Sequence, residues 1–340
     1  MATAATPAAA VRHARCELRT GVSMHYVEAV PASGGWSTTL LLVHGFPDTW
    51  YGWRHQISAV AAAGYRVLAP DMRGYGETTP IGKDPAWYCM ENTTADLVAL
   101  LDALLLDKVV ICGHDWGGTC VWNFCLHHRE RVSGVIAVCT PFFAWKNDNP
   151  WVKMQANPGR FDYQLYFQTD EAQREFERDL PRTVRCMIRG ASAADIAATG
   201  AHATTPWVPT KDGGAMAKIP KDVTRSTILS AADEEYYAWQ FSRSGFFGPL
   251  SWYRNVERNW RWNARTEGQH VNVPCLMICA AKDATLPPSM AKGMPEWIGD
   301  LRIEVVTDAG HWVLQEQPAE VNGLLIQWLG KRFPAGRAAL

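Results

Sequence analysis

The feature that most constrains the fold of this chain is a regular alternation of short apolar runs with helix-like segments. Eight runs predict β-strands, at Cys16–Arg19, Ser23–Glu28, Thr39–Val43, Arg66–Ala69, Lys108–Cys112, Gly134–Cys139, Pro274–Ala280 and Arg302–Val306. Four further segments predict helices, at Trp50–Ala63, Asn92–Leu106, Trp116–His128 and Pro318–Trp328. Parallel strands need crossover connections, usually helices, so the alternation indicates an α/β fold: a mostly parallel, eight-stranded sheet with helices on both faces. The first two runs flank Gly21 and predict an antiparallel hairpin.

The alternation is interrupted once, between Thr140 and Pro274. The intervening stretch is rich in aromatic residues and its pattern predicts helices. We interpret it as a helical cap of about 120 residues over the carboxyl edge of the sheet, where open α/β sheets bind their ligands. The predicted organisation is a flexible tail at 1–12, an α/β core at 13–140 and 265–340, and a helical cap, or lid, at 141–264.

The balance of charged and apolar residues excludes several classes of protein. Because 47% of the residues are hydrophobic and 20% are charged, the composition is not that of a disordered chain. The 33 basic and 34 acidic residues create no overall positive field, so we expect no nucleic-acid partner. Charges break the longest apolar runs, as Asp102 breaks Leu97–Leu106, and none reaches the ~20 residues of a membrane-spanning helix.

The cysteines and the amino terminus predict a cytoplasmic protein. Nine cysteines are scattered along the chain without a Cys-x-x-Cys pair, and several lie in runs that predict buried strands. We therefore expect reduced thiols in a reducing compartment. The first ten residues lack the apolar stretch of a secretory signal, although Arg12, Arg15 and Arg19 leave a transit peptide as an alternative.

The candidate nucleophile lies in Val109–Gly118, where an apolar strand runs into Gly-x-Asp-x-Gly-Gly and then into a helix. This is the strand–elbow–helix context of the Gly-x-Ser-x-Gly nucleophile turn, with Asp115 in place of serine. The glycines permit the sharp turn, and the helix amino end directs its free N–H groups and its dipole towards the site. We predict that Asp115 is a nucleophile and not a helix cap.

A second motif predicts the groups that stabilise an oxyanion. A buried strand at 40–43 ends in His44-Gly45-Phe46-Pro47, a loop that can turn a backbone N–H towards the elbow. The oxyanion hole of such a fold uses the N–H after the nucleophile, here that of Trp116, and one from this loop, here that of Phe46. We expect His44 to be structural, because a better candidate base lies downstream.

That base is His311, and its predicted acid partner is Asp283. Each residue follows a predicted strand, so both are expected at the ligand-binding edge of the sheet. The chain order of nucleophile, acid and histidine is that of the α/β-hydrolases. Asp308 is an alternative acid, but it is too near His311 in sequence to approach from a separate strand.

An aspartate in place of serine changes the chemistry that the site can perform. A serine that attacked a saturated carbon would leave an ether, whereas a carboxylate leaves an ester that water can hydrolyse. Asp115 therefore indicates substrates that open at saturated carbon, which are epoxides or alkyl halides. A carboxylate with an ordinary pKa of ~3.9 needs no deprotonation at neutral pH. His311 would instead activate the water of the second step, with its tautomer held by Asp283.

Longer motifs around these residues extend the pattern, at His44–Pro47, Trp50–Gln56, Ala69–Gly76, Gly113–Gly118, Phe161–Phe167, Ser244–Asn255, Lys282-Asp283 and Gly310–Trp312. With these motifs the chain resembles the soluble epoxide hydrolases of the α/β-hydrolase superfamily. The resemblance covers roughly Cys16 to Phe333. We expect it to represent the hydrolase part alone, without the additional amino-terminal phosphatase domain that vertebrate members carry.

The resemblance also implies which tyrosines of the cap take part in the reaction. Five tyrosines lie in the insertion: Tyr163, Tyr166, Tyr236, Tyr237 and Tyr253. The two oxygen-binding tyrosines of the family correspond to Tyr163 and Tyr253. A tyrosine with a pKa of ~10 is a neutral hydrogen-bond donor at pH 7 and can protonate a departing alkoxide. The implied reaction converts an epoxide to a vicinal diol and needs neither a metal nor an organic cofactor.

The aromatic residues predict an apolar substrate. Sixteen tryptophans fill either the core or an aromatic-lined cavity, and composition does not separate the two. We expect Phe167 and Trp312 to contact an apolar epoxide, bound by a monomer or a homodimer. Ser251 and Phe247 depart from the family pattern and leave the substrate preference open, and the physiological role stays open between detoxification and lipid-mediator metabolism.

Two alternative functions remain open. A haloalkane dehalogenase would use the same aspartate, but such enzymes typically carry Asn where this chain has Phe46, and halide departure needs no tyrosine acid. A non-catalytic ligand-binding α/β-hydrolase could keep the three triad residues. The complete set of Asp115, Asp283, His311 and two tyrosines favours the epoxide hydrolase.

Overall fold

The computed structural model describes residues 11–78, 82–157, 159, 161–199 and 214–335. Its eight strands are β1 (Arg12–Glu17), β2 (Ser23–Ala29), β3 (Thr39–Val43), β4 (Arg66–Pro70), β5 (Val109–His114), β6 (Val132–Val138), β7 (Cys275–Ala280) and β8 (Leu301–Val306). They form one sheet in the order β1-β2-β4-β3-β5-β6-β7-β8. The β1–β2 and β2–β4 pairs are antiparallel, and the other five pairs are parallel. The predicted fold class is therefore confirmed.

The first strand differs from its prediction at Cys16–Arg19. The pairing of β1 with β2 begins at Arg12 opposite Glu28 and ends at Glu17 opposite Ser23. The chain then turns, and the turn closes when the N–H of Leu18 donates to the oxygen of Val22 across 2.8 Å. The flexible tail predicted at 1–12 is wrong at Arg12, because strand pairing makes this residue part of the sheet. The rest of the predicted tail, apart from Val11, lies outside the described residues.

The four predicted helices are present and cover both faces of the sheet. On one face lie α1 (Arg54–Ala62), α12 (Val313–Glu316) and α13 (Pro318–Arg332), and on the other lie α2 (Met90–Ala103) and α3 (Trp116–His127). Strand β3 shows why two cores form. Its alternate residues point to opposite faces, so that Leu40 joins the core under α1 and α13 while Leu41 joins the core under α2 and α3.

The chain between β6 and β7 is a helical insertion. It contains α4 (Pro150–Ala156), α5 (Asp162–Tyr166), α6 (Asp170–Arg178), α7 (Leu180–Met187), α8 (Ala193–Ala198), α9 (Ala231–Ser244), α10 (Phe247–Ser251) and α11 (Val256–Asn263). Helix α9 begins with a capping box between Ser230 and Asp233, which satisfies backbone N–H groups at its first turn.

Buried hydrogen bonds attach this helical insertion to the α/β core. The indole N–H of Trp252 donates to the backbone oxygen of Arg73 across 3.2 Å, and the hydroxyl of Tyr237 donates to Asp48 across 2.9 Å. Among the described residues we find no helix with both the length and the apolar character needed to cross a bilayer.

Candidate active site

Asp115 lies at the turn between β5 and α3, with a strained backbone at φ 54° and ψ −124°. Two glycines make this turn possible. A Cβ at Gly113 would lie 2.2 Å from the oxygen of Gly117, and a Cβ at Gly117 would lie 2.0 Å from the oxygen of Val43. Although Asp115 occupies the N-cap position of α3, its side chain makes no capping hydrogen bond. The carboxylate is therefore available for other contacts.

Each oxygen of the Asp115 carboxylate faces a different group. The backbone N–H of Phe46, in the loop after β3, donates to Oδ1 across 2.7 Å. Nε2 of His311 lies 3.4 Å from Oδ2. One oxygen is thus held by a backbone donor, while the other faces an imidazole.

His311 is oriented by Asp283, because β7 and β8 are neighbours and each residue follows its strand. Nδ1 of His311 lies 2.8 Å from Oδ2 of Asp283. The other Asp283 oxygen accepts backbone N–H groups from Thr285 and Leu286, both at 2.9 Å. The alternative acid, Asp308, has a side chain that is 76% exposed and pairs with Lys282 at 3.3 Å.

The charges of this triad shift the pKa values of its members. Burial alone would raise the pKa of Asp283, but the charge and hydrogen bond of His311 and the two backbone donors lower it to about 2. Burial opposes the protonation of His311, yet Asp283 and Asp115 together hold the pKa of its imidazole well above the ordinary value. Asp283 is accordingly a carboxylate that stabilises an imidazolium.

His44 occupies a structural position, as expected. Its Nε2 accepts the backbone N–H of Met72 at 2.9 Å, and its Nδ1 lies 2.9 Å from the oxygen of Gly45. Burial lowers the pKa of His44 to about 4, so the ring is neutral at physiological pH. Both nitrogens hold the loop that carries Phe46.

Of the five tyrosines in the helical insertion, Tyr163 and Tyr253 line one cavity together with Asp115 and His311. Burial raises the pKa of Tyr163 to about 12. Burial, with the charge of Asp115, raises the pKa of Tyr253 well above its ordinary value. Both phenols therefore keep their protons at neutral pH.

The other three tyrosines bond elsewhere and do not line this cavity. Tyr166 donates to Glu175, Tyr236 accepts from the indole of Trp50, and Tyr237 donates to Asp48.

The cavity has a volume of about 140 Å³, and Asp283, Phe46, Phe167 and Trp312 also line it. The Phe167 ring packs 5.3 Å from that of Phe46 and 5.2 Å from that of Tyr253. The indole N–H of Trp312 is occupied, because it donates to the oxygen of Met187 at 3.0 Å. Both residues present apolar surface to this space.

The side chain of Trp116 lies outside this cavity. Its ring packs 5.0 Å from that of Tyr253 and lines a second cavity of about 800 Å³, together with Trp122, Trp145, Trp260 and Trp297. Other tryptophans, such as Trp53 and Trp252, are fully buried. Among the described tryptophans, some therefore fill the core and others line a cavity, while Trp36, Trp87 and Trp239 are exposed.

Two further features of the site carried no signal in the sequence. The amide of Gln164 donates to the hydroxyl oxygen of Tyr163 across 2.7 Å, which directs the hydroxyl hydrogen elsewhere. Arg189 and Asp195 also line the catalytic cavity, and they pair with each other at 2.9 Å. Neither contact follows from spacing, because the first depends on where two adjacent side chains of α5 point and the second on how the chain after α7 meets α8.

His114, Cys139 and His311 bring potential metal-ligand atoms within 4.8 Å of one another. Both nitrogens of His311 already face carboxylates, and Nε2 of His114 lies 2.8 Å from the backbone oxygen of His311. This group is therefore part of the triad and its support.

Comparison with known proteins places this geometry in a family. Residues 38–318 match the family described as the α/β hydrolase fold. Bifunctional epoxide hydrolase 2 of Mus musculus is 39% identical over 320 residues, which are 94% of this chain and 55% of that protein. The chain thus spans about half the length of that relative. Epoxide hydrolase A of Mycobacterium tuberculosis is 37% identical over 312 residues, which are 91% of this chain and 94% of that protein.

A solved structure gives the same result. The crystal structure of epoxide hydrolase A from Mycobacterium thermoresistibile has a TM-score of 0.84 at 34% identity and covers 94% of this chain and 98% of that one. The sheet order and the nucleophile elbow define the class as an α/β-hydrolase. Within that class, the chain belongs to the epoxide hydrolases.

Proposed function

We propose that this protein hydrolyses an epoxide to a vicinal diol through a covalent ester on Asp115. The observation that carries the proposal is the position of the Asp115 carboxylate, which shares one cavity with His311 and with two protonated phenols. The names of the relatives support the same reaction, since proteins that match over nearly their whole length are epoxide hydrolases.

In the first step, Oδ2 of Asp115 attacks an epoxide carbon, and the bond between that carbon and the epoxide oxygen breaks. Oδ1 is held by the N–H of Phe46, so Oδ2 is the freer atom. Tyr163 and Tyr253 donate hydrogen bonds to the epoxide oxygen, and one of them transfers its proton to the departing alkoxide. Phenols of high pKa suit this role because they are neutral donors at pH 7.

In the second step, water attacks the ester carbonyl carbon. The carbonyl oxygen is then Oδ1, so the charge of the tetrahedral intermediate develops on the atom that the N–H of Phe46 already contacts. The N–H of Trp116 is the second proposed donor. His311 removes a proton of the water, while Asp283 holds its tautomer. The intermediate then collapses as the bond between the Asp115 carboxyl carbon and Oδ2 breaks, and the diol leaves with that oxygen and takes the proton back from His311. The proton of the new Asp115 carboxyl group returns to the tyrosinate that the first step left.

Formation of the ester itself prepares His311 for that role. In the free protein, the negative charge of Asp115 helps to raise the pKa of His311. Esterification removes this charge, so the pKa of His311 falls and the imidazole becomes a base only after the first step. The two steps are thereby kept in order.

We further propose that the substrate is an apolar epoxide enclosed by the helical insertion, residues 141–264, acting as a cap. Phe46, Phe167 and Trp312 supply the apolar walls. We expect the protein to act as a monomer or homodimer in the cytoplasm, where its nine unpaired cysteines would stay reduced.

A single turnover in H₂¹⁸O, with protein in excess over styrene oxide, tests the covalent route. The proposal expects an unlabelled diol in the first turnover, because the added oxygen comes from Asp115, and the label then appears in the Asp115 carboxylate. A labelled diol in the first turnover would mean direct attack by water and would overturn the route. Parallel incubation with 1-chlorobutane, with chloride as the readout, tests the dehalogenase alternative, and we expect no chloride.

A further inference from the structure

A cluster of metal-binding side chains lies at the outer edge of the sheet, away from the catalytic cavity. His13 of β1 and His25 of β2 are diagonal neighbours, since His25 is opposite Arg15 in the strand pairing. Nδ1 of His13 lies 3.0 Å from Nε2 of His25, and Oε1 of Glu77 lies 3.8 Å from the same Nε2. The three ligand atoms lie within 4.8 Å of one another.

The ring of His25 is oriented as a metal ligand would be. Its Nδ1 lies 2.8 Å from Oδ2 of Asp71. The Asp71 carboxylate also accepts backbone N–H groups from Trp50 and Glu77, so it acts as an acceptor throughout. Nδ1 of His25 therefore carries the hydrogen, and Nε2 presents a lone pair towards His13 and Glu77. A carboxylate that fixes the tautomer in this way is a common support of metal-bound histidine.

His13 and Glu77 complete the arrangement from the accessible side. His13 is exposed, and partial burial of its ring together with the neighbouring His25 lowers the pKa of its imidazole, which favours the neutral, ligating form. Arg15 pairs with the other oxygen of Glu77, Oε2, at 3.9 Å. Oε1 of Glu77 is thus the atom that faces the histidines.

We propose that His13, His25 and Glu77 bind a divalent transition-metal ion of the zinc type, at a site separate from the reaction. Tetrahedral zinc bonds of about 2.0–2.1 Å place neighbouring ligand atoms about 3.3 Å apart. The observed separations of 3.0 and 3.8 Å lie on either side of that value. Two imidazoles and one carboxylate form a ligand set that zinc accepts, and the exposed side at His13 leaves a fourth position for water.

Such an ion would connect the edge of the sheet to the core. Its ligands come from β1, from β2 and from the segment after β4, so it would join the terminal hairpin to the loop that carries Glu77. An ion that binds only the folded protein stabilises it, so the melting temperature should rise with the zinc concentration.

The test uses the full chain without a polyhistidine tag, after treatment with a chelator. Titration calorimetry with ZnCl₂ should show one saturable ion per chain. His13→Ala and Glu77→Gln should each weaken the affinity at least tenfold and abolish the zinc-dependent rise in melting temperature. His55→Ala, which removes an exposed histidine outside the cluster, is the matched control and should bind as the original chain does.

Cobalt distinguishes this site from one built on cysteine. CoCl₂ should give visible d–d bands without the ultraviolet charge-transfer band that a thiolate ligand adds. The proposal is overturned if no one-equivalent binding occurs, if His13→Ala and Glu77→Gln bind zinc like the original chain, or if the cobalt spectrum shows thiolate ligation. Diol formation should be unchanged in both variants, because neither residue lines the catalytic cavity.

Discussion

The backbone N–H of Phe46 donates to Oδ1 of Asp115 across 2.7 Å, although 69 positions separate the two residues in the sequence. This contact is possible because β3 and β5 are neighbouring parallel strands, so the loop after one meets the turn after the other. In the proposed mechanism, this contact divides the carboxylate into Oδ2, which attacks, and Oδ1, which is already stabilised. Attack and hydrolysis would then depend on different neighbours of Asp115, and substitutions should separate the two steps.

The ester on Asp115 should accumulate when its hydrolysis is blocked. His311→Gln should leave the attack by Asp115 intact and stop the hydrolysis, since glutamine keeps a polar side chain but cannot remove a proton from water. Intact-mass and peptide analysis after addition of styrene oxide should show one added substrate mass on the peptide that contains Asp115. Asp115→Ala should show no such addition. A His311→Gln protein that turns over normally would contradict the assigned base.

Substitutions can distinguish the roles of Tyr163 and Tyr253 in the reaction from those of the other tyrosines of the insertion. Tyr163→Phe and Tyr253→Phe should each lower the rate of ester formation, because a phenylalanine cannot protonate the alkoxide, and the double variant should lose about 10²–10⁴ in rate. Tyr166→Phe is the matched control, since its hydroxyl donates to Glu175 outside the cavity. Stopped-flow measurement of ester formation checks this. Equal losses in all three single variants would indicate a structural effect instead.

Gln164 is predicted to position the hydroxyl hydrogen of Tyr163. Gln164→Leu removes the hydrogen bond to Tyr163, and the net free-energy contribution of such a bond is about 1–1.5 kcal/mol. If this contribution is lost in the transition state, kcat should fall about 5- to 10-fold with little change in KM. Gln164→Glu reverses the hydrogen bond, because Tyr163 would then donate to the carboxylate and withdraw its proton from the epoxide. The loss in kcat should therefore be larger for Glu than for Leu. The opposite ranking would show that Gln164 does not act through this proton.

Asp283 should control the acidic limb of the pH profile. Ester hydrolysis needs neutral His311, so kcat is lost as the pH falls through the pKa of His311 in the ester. Asp283 raises that pKa, and Asp283→Asn should therefore move the acidic limb to lower pH. The plateau should fall by up to about 10⁴, because the tautomer is no longer held. Asp308→Asn, at an exposed ion pair, should change neither feature.

The elements that the sequence predicted well are those whose residues are buried on every side. Strands such as β3 and β5 are apolar along most of their length because both of their faces are buried. Asp115, Asp283 and His311 could be placed because parallel strands bring their carboxyl ends to one edge. Features that depend on register or on side-chain direction could not be placed.

The predicted position of β1 was too far along the chain. The pairing of β1 with β2 decides where this strand lies, and its own residues show little apolar pattern. Two further contacts could not be predicted, because the spacing of residues in the sequence does not show where a ring or an amide points. They are the hydrogen bond from Gln164 to Tyr163 and the approach of His13 to His25.

A buried acid outside the triad should make the stability of the fold depend on pH. Asp48 is 1% exposed, and its Oδ2 has no hydrogen-bond partner within the part of the chain that the structure describes. Burial raises its pKa to about 7, against the opposing hydrogen bonds from the N–H of Thr49 and the hydroxyl of Tyr237. In the unfolded chain this carboxyl would titrate near its ordinary value of 3.8.

The folded protein therefore binds more protons than the unfolded chain between about pH 4 and pH 7. This contribution to stability is fully present below pH 4 and is lost as the pH rises through 7, and its total is roughly 4 kcal/mol at 1.36 kcal/mol per unit. Asp48→Asn removes the titrating group, so the free energy of unfolding of this variant, relative to the original chain, should rise across that window. Denaturant titrations at pH 4.5 and pH 8 measure the difference. A constant difference would show that Asp48 is ionised at both pH values and that its hydrogen bonds are sufficient to support a buried charge.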